Sequence, residues 1–424
     1  MPDHLPDNHA ADQASSSQPR ISVVGIGEDG LAGLGAGARA ALDIADVVAG
    51  GERHLAFLDA DPALAGKERL PWGAPFAESL KALVARREAE PALRIAILAS
   101  GDPFWHGAGG SLMQHLPIDA LTIHPAPSTF ALACARLGWR LEESVTLGLH
   151  ARPIRLMRPH LHHGARLIVL VRDAAAIAEA AALLRETGCG ASRLTLLERL
   201  GGPHERIRSL RADAALPDDI AAPVALAIHV EAAPDAALIP RAPGLPDDCF
   251  ANDGQLTKRE IRAMTLAALA PCPGELLWDI GAGAGSIAIE WCLAHPQNRA
   301  IGIEARPDRL ERAAQNALAL GVPHIDFRAG RAPDALTGLE PPDAIFIGGG
   351  ASREGVVDAA LAALKPGGRL VINAVTLETE ALLIALHARL GGDLIRIALS
   401  RATSVGEMRG WRAAMPVTQW CYRS

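Results

Sequence analysis

The sequence predicts an α/β protein with more than one domain. Short aliphatic runs alternate with amphipathic helical stretches along most of the chain. Two glycine-rich turns, "GIGEDG" at residues 25–30 and "DIGAGAGS" at 279–286, each directly follow such a run. The chain has 424 residues, which is more than one hydrophobic core usually organises. We therefore expect two separate α/β units, each with its own glycine-rich loop.

Composition and charge restrict the kinds of protein that this chain could be. Hydrophobic residues make up 49% of the chain and charged residues 21%, as in a globular enzyme. The formal net charge of −7 argues against a nonspecific nucleic-acid binder, which presents a broad basic surface to phosphates. The six cysteines lie far apart without a C-x-x-C pair, so we expect no metal site and no redox pair.

The sequence shows no targeting or membrane signal. Residues 1–18 are polar and lack the apolar core of a secretory signal. No apolar run reaches the roughly 20 residues that span a bilayer. We therefore expect a cytoplasmic protein without a membrane partner, and a disordered tail at residues 1–19.

The first domain is predicted at residues 20–241, in two lobes of about 20–147 and 148–241. In the first lobe, "RISVVGI" and "LRIAILAS" are typical of buried parallel strands, with "APFAESLKALVARR" as a helix between them. In the second lobe, "ARLIVLV", "RLTLLERL" and "PVALAIHV" predict strands and "AAAIAEAAALLRETG" predicts a helix. The basic stretch at 147–164 is either a solvated connector between the lobes or a carboxylate-binding segment.

A proline-rich stretch without periodicity predicts a linker at residues 242–254, followed by a second domain at 255–424. A helix at 256–270 leads into the strand "ELLWDIG". The strands "AIGIEA", "DAIFIGG", "GRLVINAV" and "DLIRIAL" follow, separated by helices. This alternation predicts a Rossmann-like, doubly wound and mostly parallel sheet.

The loop "DIGAGAGS" predicts a nucleoside site in the second domain. Glycines at 281, 283 and 285 permit a tight turn whose backbone N–H groups approach a ligand closely. Glu304 ends the next strand, where a carboxylate can accept both hydroxyls of a ribose. These residues leave open S-adenosylmethionine, a nicotinamide dinucleotide or a purely structural turn.

Three details favour S-adenosylmethionine. The glycine spacing is G-x-G-x-G instead of the dinucleotide pattern G-x-G-x-x-G, a helix precedes the first strand, and "LKPGGRLVINAV" supplies a helix end, a glycine turn and a strand. With these features the second domain resembles the class I methyltransferases. Amino-directed enzymes of that fold carry Asn or Asp-Pro-Pro-aromatic where this chain has "FIGGG" at 346–350. We therefore expect an acceptor other than an amine.

Three loops of the first domain suggest a second site for the same cofactor. The first loop, "GIGEDG", is not followed by the acidic residue that a dinucleotide site needs. The second loop, "ASGDPFWHGAGG", follows a buried strand. The third, "HPAPSTFALACARLG", begins a helix at Ser128 and Thr129. Over about residues 20–232 these loops resemble the tetrapyrrole methylases, the class III methyltransferases. The resemblance implies a cofactor bound between two α/β lobes. The competing interpretation is a structural turn capped by Asp102.

The combination of the two domains resembles the decarboxylating precorrin-6Y C(5,15)-methyltransferase family of cobalamin biosynthesis, and "DGQLTKREIR" and "PVTQW" also look like that family. The resemblance implies methylation of a reduced tetrapyrrole at C-5 by the first domain and at C-15 by the second. It also implies loss of carbon dioxide from the ring C acetate, giving precorrin-8. The alternatives are a methyltransferase for RNA or another substrate, and a binding protein with one degenerate half.

The resemblance implies two S-adenosylmethionine sites per chain and a small-molecule tetrapyrrole substrate. We further expect no nucleic-acid partner and a homo-oligomer. In the second domain the implied cofactor-binding residues are Thr257, Gly281, Ala282, Gly283, Ala284, Gly285, Glu304 and Ala332. In the first domain they are Gly27, Ser100, Gly101, Asp102, Ser128 and Thr129. One departure is Arg331, which stands where such enzymes often have an Asp for the adenine amine.

Arginine suits the carboxylates of a tetrapyrrole because its guanidinium can bind a carboxylate through two parallel hydrogen bonds. The candidates for substrate binding are Arg259, Arg262 and Arg353 in the second domain and His106, Arg152 and Arg155 in the first. The competing interpretation is a solvated surface residue, which an exposed arginine on a helix more often is. No side chain is predicted as a catalytic acid or base, since positioning of an already activated methyl group and exclusion of water supply most of the catalysis.

Overall fold

The structure is a computed structural model that describes residues 21–424, so the predicted tail at 1–19 lies outside the described residues. Its contacts divide the chain into two compact units. The first contains residues 21–151, 166–178 and 193–229, and the second contains 152–165, 179–192 and 230–424. The second unit thus includes three segments that the sequence assigned to the first domain, at 152–165, 179–192 and 230–241, and the domain boundaries at 241 and 254 stay a prediction.

The first unit contains a parallel five-stranded sheet in the order β3-β2-β4-β1-β5. Its strands are β1 (Ile21–Ile26), β2 (Val47–Gly50), β3 (Glu68–Pro71), β4 (Ile95–Ser100) and β5 (Leu121–His124). The helices are α1 (Ala36–Ile44), α2 (Glu52–Ala56), α3 (Pro62–Ala65), α4 (Phe76–Ala89), α5 (Ala108–Leu112) and α6 (Thr129–Leu137). Val24 and Ile26 pack into one hydrophobic cluster, whereas Ile21 and Val23 pack into another. Because both faces are covered there, the central strands β1, β2 and β4 are nearly continuous apolar runs in the sequence.

A second, mixed sheet of the first unit has the order β6-β7-β10-β8-β9, with only β6 and β7 parallel. Its strands are β6 (Val145–Gly148), β7 (Arg166–Leu170), β8 (Arg193–Glu198), β9 (Arg206–Arg211) and β10 (Val224–His229), and α7 spans Ala174–Glu186. Phe130 and Cys134 of α6 pack against Ile168 and Leu197 of this sheet. The edge strand β9 was not predicted, because only one of its faces is partly buried and its sequence lacks an apolar run.

The second unit is built on a seven-stranded sheet in the order β13-β12-β11-β14-β15-β19-β16. The strands are β11 (Leu276–Ile280), β12 (Arg299–Glu304), β13 (Asp326–Ala329), β14 (Ala344–Ile347), β15 (Arg369–Ala374), β16 (Asp393–Ile397), β17 (Ser400–Val405), β18 (Met408–Ala413) and β19 (Val417–Arg423), with β17 and β18 paired as a separate hairpin. The helices are α8 (Arg259–Leu269), α9 (Ser286–Ala294), α10 (Pro307–Ala319), α11 (Val356–Ala363) and α12 (Leu377–Leu390). Five neighbouring strands, β13, β12, β11, β14 and β15, are parallel. β19 runs antiparallel between β15 and β16. The predicted mostly parallel, doubly wound sheet is confirmed.

Both faces of this sheet are buried at its centre, along β11 and β14. Leu276, Trp278 and Ile280 of β11 pack into one hydrophobic cluster, while Leu277 packs with Trp291 into another. The central strand β11 is therefore held from both sides, and it positions the glycine-rich loop that follows it.

Over residues 21–424, none of the helices has the length and apolar character required to cross a membrane. In the same part of the chain, no group of three or more His, Cys, Asp or Glu side chains is arranged to hold a metal ion. All six cysteines are free thiols.

Candidate active sites

A cavity of about 1000 Å³ opens at the carboxyl ends of the parallel strands of the second unit. Strand β11 has β12 on one side and β14 on the other, so the connections that leave it diverge at this point. The loops after β11 and β14 meet there, since a Cβ on Gly281 would lie only 3.2 Å from the backbone N of Gly349. Ligands of open α/β sheets bind at such a switch point.

Glu304 is tied to the glycine-rich loop by its carboxylate. Gly283 N donates to Oε2 over 2.9 Å, and Arg306 N donates to Oε1 over the same distance. The residue is 7% exposed and lines the cavity. Each carboxylate oxygen can accept more than one hydrogen bond, so Glu304 can fasten the loop and still receive hydroxyl donors from a ligand.

Asp279 is a further acidic residue of this cavity, and sequence reasoning did not include it. Its Oδ2 accepts from Ala288 N over 3.1 Å, whereas no donor from residues 21–424 reaches its buried Oδ1. Burial raises the pKa of Asp279 to about 7, and the charge of Glu304 adds to this, against the lowering effect of the Ala288 N–H group. The acid at the start of "DIGAGAGS" was the available signal, but its unsatisfied oxygen depends on tertiary packing.

The cavity brings together most of the cofactor-binding residues that were predicted for the second domain. Those that line it are Thr257, Gly281, Ala282, Gly283, Ala284, Glu304 and Ala332. Gly285 is not in the lining. It turns towards the core with a φ of +77°, and a Cβ there would lie 2.9 Å from the Phe327 ring. Its contribution is the turn into α9, where it is the N-cap residue.

The structure removes Arg262 from the candidate carboxylate clamps. Its side chain is fully buried, and its guanidinium donates to Glu290, Asp247 and the backbone oxygens of Thr257 and Leu245. No donor of this residue faces the cavity, because Arg262 lies on the buried face of α8. Arg259, on the exposed face, is also absent from the lining and packs beside Gly244.

Arg353 does line the cavity and is exposed, as a ligand clamp requires. Four cationic side chains that were not predicted as clamps join it, and they are Lys258, Arg309, Arg331 and Arg401. Arg309 is held by Asp253 and Gln255, and Arg401 by Glu260. Arg401 comes from β17, far from the glycine-rich loop in sequence, so no local motif could have identified it.

In the first unit the three predicted loops lie in mutual contact at the carboxyl edge of the parallel sheet. A Cβ on Gly25 would collide with the backbone oxygen of Gly101 and with the backbone N of Ala126. Gly101 N donates to Ile26 O over 3.0 Å, and Gly101 has a φ of +57°. The loops after β1, β4 and β5 therefore form one surface, which carries the predicted residues Gly27, Ser100, Gly101, Asp102, Ser128 and Thr129.

Two of these predicted residues have local structural contacts. Asp102 Oδ1 accepts from Phe104 N over 2.8 Å, and Ser128 Oγ accepts from Ala131 N over 3.2 Å as the N-cap of α6. These are the contacts of a capped turn, which was the competing interpretation for Asp102. The roles of both residues in cofactor binding stay predictions.

The substrate candidates of the first domain fall in different compact units. His106 adopts a φ of +58° and its ring lies 5.8 Å from that of Phe130, close to the cofactor loops. Arg152 and Arg155 belong to the second compact unit. Arg155 forms a two-point ion pair with Glu186, at 2.9 and 3.1 Å. Arg155 therefore has a partner in this structure, and its role in substrate binding stays a prediction.

Two protein families match this chain, one over each of the two regions that contain a set of glycine-rich loops. The family described as Tetrapyrrole (Corrin/Porphyrin) Methylases matches residues 20–215, and the Precorrin methyltransferase domain family matches residues 248–424. A precorrin-6Y C(5,15)-methyltransferase [decarboxylating] from Sinorhizobium sp is 49% identical over 404 residues, which are 95% of this chain and 96% of that protein. The chain belongs to the precorrin-6Y C(5,15)-methyltransferase (decarboxylating) family.

Two shorter proteins are also similar. A cobalt-precorrin-6B C(15)-methyltransferase (decarboxylating) from Salmonella typhimurium is 33% identical over 38% of this chain and 85% of its own length. The crystal structure of the C-terminal domain of precorrin-6Y C5,15-methyltransferase from Rhodobacter capsulatus is 50% identical, with a TM-score of 0.42, and covers 44% of this chain and all of that one.

Membership in this family makes S-adenosylmethionine the methyl donor. The cavity of the second unit fits that cofactor, which carries a positive sulfonium, an ammonium group and ribose hydroxyls. Asp279 offers an unsatisfied buried oxygen and Glu304 offers a held carboxylate, and acidic acceptors are what such donors require. The two family matches each contain one of the predicted loop sets.

Proposed function

We propose that this chain methylates precorrin-6Y at C-5 and C-15 and removes carbon dioxide from the ring C acetate, giving precorrin-8 in cobalamin biosynthesis. The observation that carries the proposal is the 49% identity to a relative of that name over 95% of the chain. Two loop sets, one in each compact unit, agree with an enzyme that has two methyl groups to transfer.

We assign C-5 to the first domain and C-15 with decarboxylation to the second. The Salmonella relative supports this division, because a protein that matches only 38% of this chain is named for the C-15 methylation and decarboxylation together. Each domain then holds its own cofactor, which makes two sites per chain. Gly27, Ser100 to Asp102, Ser128 and Thr129 would form one site, and Thr257, Gly281 to Ala284, Glu304 and Ala332 the other.

S-adenosylmethionine supplies an activated methyl group to a nucleophilic carbon of the macrocycle. The chain's own residues have to bind and orient the ligands and exclude water. In the second unit the glycine-rich loop and Glu304 provide the cofactor side of the cavity, while Lys258, Arg353 and Arg401 provide cations for the substrate carboxylates. When the acetate loses carbon dioxide, the electron pair of the broken C–C bond passes into the conjugated imine of the macrocycle. An acetate outside these cations undergoes this loss more readily than one that is clamped.

A mass-spectrometric assay with precorrin-6Y tests the assignment. The full chain should add two methyl groups and release carbon dioxide. Glu304→Ala should strongly slow the C-15 methylation, while Glu311→Ala, an exposed glutamate on α10, should behave as wild type. The C-5 methylation should persist in Glu304→Ala, and the proposal fails if the full chain neither adds a methyl group nor releases carbon dioxide.

We also propose that this tetrapyrrole methyltransferase is a cytoplasmic homo-oligomer without a nucleic-acid partner. If RNA is methylated in place of precorrin-6Y, or only one cofactor binds per chain, the corresponding part of the proposal is rejected.

A further inference from the structure

A hydrogen-bonded cluster that no motif predicted lies at the carboxyl ends of three neighbouring strands of the first sheet. Glu28 follows β1, Arg53 and His54 lie in α2 after β2, and Ser100 ends β4. The strands β2, β4 and β1 are adjacent in the sheet. The cluster therefore shares its edge with the predicted cofactor loops, and Ser100 belongs to both.

Arg53 is the centre of the cluster. Its Nη1 forms an ion pair with Glu28, and its Nη2 lies 2.8 Å from His54 Nε2 and 3.3 Å from Ser100 Oγ. Ser100 Oγ also lies 3.0 Å from His54 Nε2. A guanidinium can only donate, so His54 Nε2 accepts and the imidazole proton lies on Nδ1. The hydroxyl of Ser100 then donates to the same nitrogen.

His54 and Arg53 differ in charge and in burial, and therefore in role. His54 is 8% exposed, and burial together with the charge of Arg53 lowers its pKa to about 4, so it is a neutral acceptor near pH 7. The side chain of Arg53, in contrast, is 42% exposed although three groups hold it. Its orientation is thus set by the protein, and these contacts engage Nη1 and Nη2 but not Nε.

Stability alone is a poor explanation for this arrangement. A half-exposed ion pair contributes little to folding, whereas burying an imidazole beside a cation is unfavourable. A guanidinium that is oriented in advance suits the recognition of a carboxylate, because little side-chain freedom is lost on binding. The inference rests on the proposed function, in which both ligands of this domain carry carboxylates. The tetrapyrrole has them on its side chains, and the cofactor has one on its methionine part.

We propose that Arg53 binds a ligand carboxylate at the C-5 methylation site, with Glu28 and His54 as its positioning residues. The substrate and the cofactor are the two possible sources of that carboxylate. Ser100, in contact with Arg53, connects this position to the cofactor loop after β4.

The test compares Arg53→Met with Arg94→Met in the full chain. Arg94 also pairs with an acid, Asp46, at 2.6 and 3.1 Å, but both residues precede their strands and lie at the opposite edge of the same sheet. Each protein is assayed for C-5 methylation with precorrin-6Y and with its carboxylate-esterified form. Cofactor binding is titrated with S-adenosylmethionine and with the decarboxylated analogue, which lacks the methionine carboxylate.

Arg53→Met should weaken one natural ligand by roughly tenfold or more, and Arg94→Met should weaken neither. If the substrate supplies the carboxylate, wild type should discriminate against the ester and Arg53→Met should not. If the cofactor supplies the carboxylate, wild type should bind S-adenosylmethionine more tightly than the decarboxylated analogue, and Arg53→Met should bind the two alike. Arg53→Lys, which keeps the charge but not the planar fork, should fall between wild type and Arg53→Met.

Unchanged discrimination in both ligand pairs, measured in Arg53→Met and Arg53→Lys, would overturn the proposal. The failure of the proposed function is a different result. In that case wild type itself would leave precorrin-6Y unmethylated, and the cofactor titrations would still report on Arg53.

Discussion

Arg262 and Glu290 form a buried ion pair in the second unit, with Nε 2.5 Å from Oε1. Both side chains are almost completely buried. The same Glu290 carboxylate accepts from the backbone N–H groups of Gly244 and Leu245. The pair thus joins α8 and α9 to the segment around Gly244 and Leu245, and this structural function occupies an arginine that the sequence suggested for substrate.

Replacing Arg262 with Met should therefore lower stability and leave substrate affinity alone. The change leaves the Glu290 charge buried without its cationic partner, which costs about 3–5 kcal/mol. Denaturant unfolding of the full chain measures the loss, and the KM for precorrin-6Y should stay at the wild-type value. Arg353→Met is the matched variant, with normal stability and a raised KM. The reverse pattern would return Arg262 to the substrate site.

Glu304→Ala should weaken cofactor binding by about 1–3 kcal/mol, because ribose hydroxyls and the Gly283 N–H group lose their acceptor. Isothermal titration with S-adenosylmethionine measures the change. Glu311→Ala serves as the control, since Glu311 is exposed on α10. An affinity that does not change would reject the ribose-binding role of Glu304.

Asp279 should make the second domain less stable as the pH rises. Its pKa is about 7 in the folded chain against 3.8 in the ordinary case, so between these values the folded state holds a proton that the unfolded state has lost. The free energy of unfolding should fall by up to about 4 kcal/mol from pH 4 to above pH 7 through this group. Asp279→Asn should lack that component when unfolding is compared at pH 5 and pH 8. An equal pH dependence in the two proteins would argue against a protonated Asp279.

His54 should give the first unit the opposite pH dependence. Its pKa is about 4 in the folded chain against 6.5 in the ordinary case, so the unfolded state binds a proton that the folded state rejects. Stability should fall by up to about 3 kcal/mol as the pH drops from 6.5 to 4. Hydrogen exchange of β2 and β4, corrected for intrinsic rates, should show this loss in wild type and a smaller one in His54→Gln. A similar loss in His54→Gln would assign it to other groups.

Features that depend on neighbouring residues were predictable from the sequence. The strand, turn and helix around "DIGAGAGS" are contiguous, and they appear as β11, the glycine-rich loop and α9. Glu304 was expected at the end of the next strand, and it is the last residue of β12. Covered sheet faces require continuous apolar strands, which explains why the parallel sheets could be recognised.

Side chains whose function depends on distant partners were not predictable in this way. Arg262, Arg353 and Arg401 are all arginines near helix or strand ends, and their local sequence does not distinguish them. Packing places Arg262 against Glu290, leaves Arg353 exposed at the cavity and brings Arg401 to the cavity from the β17–β18 hairpin. The contacts among Arg53, His54 and Ser100 likewise exist only because β2 and β4 are neighbours in the sheet.

The sequence by itself determined the α/β class, the two glycine-rich loops and the family resemblance, because hydrophobic periodicity and turn chemistry act over a few residues. Only the tertiary structure decided which charged groups face a ligand and which face each other. A buried charge requires a partner, and that partner comes from whichever distant segment the fold places beside it.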